Sequence, residues 1–167
     1  MKHPFTTLGV ALVAAVTLSA QSIQLSSGIT QRPATTDPVP VVLDQVDLAD
    51  NMVVVGGTKI VALVPGNYFV VAAPQAGRLK GGDKEEFTCF LRINGQQVAN
   101  SNVLLALKEG TKDVIVSQAI VALRAGSELE IMISSSDPKD GIGIEAIEVV
   151  GQPLVPSAIV SVFRVGP

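Results

Sequence analysis

Phe90-Leu91-Arg92-Ile93-Asn94-Gly95-Gln96-Gln97-Val98 is the stretch from which the rest of the chain can be read. Both central positions of a type I′ turn need positive φ, which Asn followed by Gly tolerates, so Asn94-Gly95 predicts a tight hairpin. It joins a strand over residues 86–93 to one over 96–100. Moving outward, turn signals recur at Gly56-Gly57, Pro65-Gly66, Gly81-Gly82-Asp83, Lys108-Glu109-Gly110, Ala125-Gly126, Asp137-Pro138, Asp140-Gly141 and Gly151-Gln152-Pro153. Punctuation at this spacing predicts an all-β sandwich or barrel. The runs between the turns predict strands over 41–48, 52–55, 59–64, 68–73, 113–123, 128–134, 142–150 and 158–165. In 128–133, Leu129, Ile131 and Ile133 alternate with Glu128, Glu130 and Met132, the period of a strand with one buried side. No run sustains a 3.6-residue period, which argues against parallel βαβ units. Residues 119–125 are assigned to a strand because their flank is β-branched.

The chain has 167 residues, enough for one domain plus an extension. Hydrophobic residues make up 47% and charged residues 16%, against roughly 25% charged in typical soluble domains. A surface so short of charge predicts coverage by other subunits. An apolar N-terminus accounts for part of the bias, but it continues through 53–71 and 114–123. Net charge is −3 and the Lys and Arg residues are scattered singly, so no basic stripe is available to neutralise phosphates and nucleic-acid binding is not expected. Aromatics are 4%, with no Trp, which disfavours stacking sites for sugars or single-stranded nucleic acid. The single cysteine, Cys89, alternates with Phe87, Leu91 and Ile93, so it is expected to be a buried, inert thiol.

Three segments are predicted. Residues 1–20 carry a short basic start, an apolar run over 8–18 and the small residues Ser19-Ala20, the plan of a secretory signal cleaved after Ala20. The same residues also suit a retained assembly arm, and both readings stand at this point. The apolar run is shorter than the ~20 residues of a stable membrane span. Residues 21–40, with Pro33, Pro38 and Pro40 among Ser, Thr and Gln, are read as an extended linker. Residues 41–167 form the folded domain.

Four motifs in order resemble a known family. Pro65-Gly66-Asn67-Tyr68-Phe69-Val70 is similar to the start of a central strand in the tumour-necrosis-factor-like and complement globular-head jelly rolls. The stretch 90–98 resembles their strand, Asn-Gly turn and strand. Val121-Ala122-Leu123-Arg124-Ala125-Gly126-Ser127-Glu128-Leu129 is similar to a strand pair of theirs, with Ser127 where Asp is usual. Ser157-Ala158-Ile159-Val160-Ser161-Val162-Phe163-Arg164-Val165 resembles their closing strand, particularly that of bacterial and phage members. The resemblance implies a jelly-roll β-sandwich of about ten antiparallel strands, with an extended N-terminal arm, assembling as a homotrimer. The chain lacks most of the aromatic core of the animal complement heads, so their ligands are not carried over.

Chemistry is sparse. His3 is the only histidine and sits in the N-terminal segment, leaving Ser-His-Asp, Cys-His and histidine-metal constellations without their central residue. We expect no enzyme activity, no catalytic or cofactor-binding residues, no cofactor and no metal site. Gly56-Gly57 and Gly81-Gly82 lie outside any strand-loop-helix phosphate context and are read as turns. Asp137-Pro138-Lys139-Asp140-Gly141 could offer oxygens to Ca²⁺, but a double turn capping its own backbone is the simpler reading. Asp83-Lys84-Glu85-Glu86 is read as a solvated loop. Asp44, Asp47 and Asp50 do not share a strand face and are read as turn and edge protection. The expected role is a structural protein, a homotrimer decorating or cementing the exterior of a bacteriophage capsid and touching capsid proteins through its N-terminal arm. The alternative is a secreted or cell-surface ligand-binding module released by signal cleavage.

Overall fold

The computed structural model describes residues 21–81 and 84–167. The signal-or-arm expectation for residues 1–20 lies outside the described residues. In chain order the strands are β1 (Ser22–Ser27), β2 (Val39–Pro40), β3 (Gln45–Asp50), β4 (Met52–Val55), β5 (Lys59–Ala62), β6 (Gly66–Gly77) and β7 (Glu85–Ile93). They continue as β8 (Gln96–Gln97), β9 (Val103–Leu107), β10 (Lys112–Val114), β11 (Ser117–Leu123), β12 (Glu128–Ser135), β13 (Gly143–Ile144) and β14 (Ala158–Gly166). A 3-10 turn spans Pro138–Asp140.

The strands form two antiparallel sheets, bearing out the all-β sandwich. The first runs β11-β6-β14-β1-β3, with β10 continuing the β11 side of β6 and β13 the β14 side. The second runs β4-β5-β12-β7-β9, with β2 beyond β5 on β12 and β8 beyond β9 on β7. Between them lies one core of alternate side chains: Ile23 and Leu25 from β1, Tyr68, Val70 and Ala72 from β6, and Val160 and Val162 from β14. The second sheet contributes Ile60, Phe87, Cys89, Leu91, Leu129, Ile131 and Ile133. Tyr68 carries a polar tip into this core, and its hydroxyl lies 2.7 Å from the Val64 carbonyl, to which it donates.

The hairpin at Asn94-Gly95 forms as expected, with φ of 49° and 80°. Asn94 also clamps the hairpin to the neighbouring strand: its N–H donates to the Glu128 carbonyl and its Oδ1 accepts from the Glu128 N–H, both at 2.9 Å.

Residues 21–40 are not a linker. β1 sits inside the first sheet between β14 and β3, and Ile23 and Leu25 are buried in the core. The polar residues after it are satisfied internally. Gln31 donates from Nε2 to Ser27 Oγ and the Val42 carbonyl, and its Oε1 accepts from the Val42 N–H. Pro40 is accommodated because β2 is only two residues long and pairs on one side. Among the described residues the sandwich therefore begins at Gln21 and not at residue 41.

Other boundaries moved for local reasons. The strand predicted over 113–123 is two, because Ile115 lies opposite Pro74, which has no N–H to give the ladder. The strand predicted over 142–150 shrinks to β13, beyond which Ile147 bridges Val155 across a turn. In β12 both faces are covered, since Met132 is fully buried outside the main core and Glu130 is buried against Arg92. β9 was not predicted at all.

Because Leu25 is wholly enclosed by both sheets, Leu25→Ala should lower unfolding free energy by about 2–5 kcal/mol in urea titrations. A chain cut after Ser27 should show no cooperative transition. Retention of that transition would contradict the place of β1 in the sheet.

Candidate interaction surface

Register determines what the outward side of the first sheet presents. One row across it reads Ile120, Phe69, Phe163, Ser22. The next reads Gln118, Val71, Ser161, Gln24, Leu48. Ala73, Ile159 and Ser26 form a third. The Phe69 and Phe163 rings meet edge to face, with centroids 5.3 Å apart. Ile120 is 67% exposed, Ile159 43% and Phe163 40%. The outward positions of β11, β6, β14 and β1 hold no charged residue. Scattered exposed apolar residues are ordinary on a soluble protein, whereas contiguous ones such as Ile120, Phe69 and Phe163 make this face the candidate interaction surface. Sequence reasoning found the apolar surplus in 53–71 and 114–123 but not this face. The signal was available in residues 158–165, where apolar residues occupy both phases of the alternation.

The two flanks of the sandwich differ. On one, β3 is the edge of its sheet and is exposed on both sides, with Val46 and Leu48 each 58% exposed. Asp44, Asp47 and Asp50 stud this edge. Asp44 accepts from the Gly28 N–H and Asp47 from Ser26 Oγ, and none of the three is in an ion pair among the described residues. Their expected place at an edge agrees with the position of β3. On the opposite flank, a groove of about 360 Å³ runs beside β9 and β10, lined by Lys84, Lys108 and Lys112 with Leu105, Leu107, Thr111 and Asp113.

Asp83 lies outside the described residues, and Glu85 and Glu86, expected in a solvated loop, instead open β7. Asp137 caps its own turn by accepting from the Lys139 N–H, and Asp140 pairs with Arg78 at 2.5 Å. Arg78 is buried and also donates to the carbonyls of Lys80 and Leu107, so this cluster ties a loop to the sandwich. Glu145, also buried, is shared by Arg32 at 2.6 Å and Lys112 at 3.0 Å. Among the described residues no group of three His, Cys, Asp or Glu side chains is arranged to hold a metal ion. No helix among them is long and apolar enough to cross a membrane. His3 lies outside the described residues. Cys89 is buried, and burial pushes its thiol up to about 12.

No protein-family model matches the chain, and no curated protein matches it either.

The raised thiol pKa gives a signed expectation. The folded state disfavours the thiolate, so the Cys89 contribution to stability is full below pH 9, the ordinary thiol value, and is lost as pH climbs towards 12. Native protein at pH 8 should resist maleimide until denaturant is added, as followed by mass spectrometry. Labelling of the native fold within minutes would refute the burial.

Proposed function

We propose that this chain is a non-enzymatic structural protein, a jelly-roll sandwich of the tumour-necrosis-factor-like type that assembles as a homotrimer and decorates or cements the outside of a bacteriophage capsid. The observation that carries this reading is the uncharged face of the first sheet, with Ile120, Phe69, Phe163 and Ile159 among its outward residues. In a monomer it would sit in water at a cost of about 25 cal/mol for each Å² of apolar surface left unburied. Closed cyclic assembly removes it from solvent. The interleaving of strands between the sheets supports the jelly-roll form: β5 to β6 crosses from the second sheet to the first, β7 and β9 return, β11 crosses again, and β12 and β14 repeat the exchange. A shell-stabilising role asks for contact area and no chemistry, in keeping with a chain whose buried charges are spent on holding loops. With β1 and β2 in the sheets, the capsid-reaching arm is placed in the residues before Gln21.

One observation favours the second reading, a secreted or cell-surface module. Among the described residues the sandwich opens at Gln21, itself buried, so cleavage after Ala20 would leave every described strand intact. The intact mass of protein purified from its native source separates the two. A start at Met1 keeps the arm, and a start at Gln21 gives secretion.

Light scattering at micromolar concentration should return three chain masses. Phe163→Lys with Ile120→Lys should reduce that to one while the melting transition stays cooperative. A wild-type chain that is monomeric under these conditions overturns the trimer.

A further inference from the structure

We infer that the contact between adjacent copies is head to tail, with the acidic edge strand β3 of one copy seated against the lysine-lined groove beside β9 and β10 of the next. This rests on the self-assembly reading above and specifies which flank meets which.

Geometry supplies the first argument. When three flat sandwiches turn the same face towards a common axis, each brings one flank against the opposite flank of its neighbour. Such an interface is heterologous, so the two surfaces must complement each other and neither needs to match itself. In this chain the two flanks are unlike.

The β3 flank has the properties of an inserted element. Among the described residues it pairs only with β1, which leaves its outer backbone edge open, and its side chains are exposed above and below the sheet. An edge strand in this condition is a template for another chain. A register shift between Gln24 and Leu25 sets Leu48 opposite outward Gln24 and Val46 opposite core-facing Leu25, with Asp47 between them bonded to Ser26, so the strand offers apolar surface on both sides and charge to match.

The opposite flank has the properties of a receptor. Among the described residues β9 pairs only with β7 and is the free edge of the second sheet. Its groove combines an apolar floor, Leu105 and Leu107, with three lysines against one aspartate. Lys84 and Lys108 are in no ion pair among the described residues, whereas Lys112 already shares Glu145. An extended acidic segment joining a free strand edge uses backbone hydrogen bonds for affinity and side-chain charge for selection.

Register puts the two elements towards the same end of the molecule. Gln45 aligns through Ser26 and Ile159 with Ala73, and Lys112 aligns with Gly77 further along that strand. A rotation about an axis running with the strands preserves this level, so the Asp44 end of β3 arrives near the groove. A face-to-face twofold dimer whose axis lies across the strands would instead bring like flanks together, acid to acid.

The test is cross-linking in solution with a short bismaleimide. Cys89 is buried and stays unreactive, so introduced cysteines report alone. Val46→Cys and Ala106→Cys lie on opposite flanks and cannot be bridged within one chain. The chain carrying both should give covalent trimers on denaturing gels, each single variant should remain uncross-linked, and a mixture of the two single variants should give mixed dimers. Covalent dimers from Val46→Cys alone would overturn the head-to-tail contact. So would a trimeric mass by light scattering with no cross-link in the double variant. A monomeric mass in the same sample would instead sink the assembly reading on which the contact depends.

Discussion

β6 is the element on which both the sheet and its exposed face depend. Its twelve residues accept β11 and β10 along one edge and β14 and β13 along the other. A strand paired on both edges has most of its ladder groups committed, and its two faces must then serve different purposes. Tyr68, Val70 and Ala72 point into the core, whereas Phe69, Val71 and Ala73 point out. Near-continuous apolar sequence is what a strand covered on both faces requires. The second cover is missing from a single chain, and the assembly proposal supplies it.

The polar interior is organised to a different end. Arg78, Glu130 and Glu145 are all buried, and each has an oppositely charged partner. Buried pairs of this kind contribute little net stability, since desolvation offsets most of the attraction, yet removing one partner is costly. Their effect is to restrict alternatives. The loop holding Pro138–Asp140 and the chain around Arg32 each have one place to go.

What could be read from sequence divides along local and non-local lines. Asn94-Gly95 announced its hairpin because the backbone demand of that turn is met by two adjacent residues. The strand β4 over Met52–Val55 was likewise legible from its own composition. β1 was not, since Ile23 and Leu25 are set among Ser and Gln whose hydrogen-bond partners, such as Val42 and Ser157, lie far along the chain. Nor was the break at Ile115, which depends on the residue opposite, Pro74. The interaction face follows the same rule. A surplus of apolar residues was visible, but only the register that lines Ile120 up with Phe69 and Phe163 turns that surplus into a surface.

The position of β1 beside β14 also fixes the geometry of attachment. Arg164 donates its backbone N–H to the Gln21 carbonyl at 2.9 Å, so the first and last parts of the sandwich are stitched together at one pole. That pole also carries the turns at Pro65 and Gly126, while Gly28, Gly77 and Gly141 lie towards the other. Anything joined ahead of Gln21 and anything fused behind Pro167 would therefore leave the molecule side by side. Passengers on both termini would share one end of the particle, and the loops at the far end would stay clear of them.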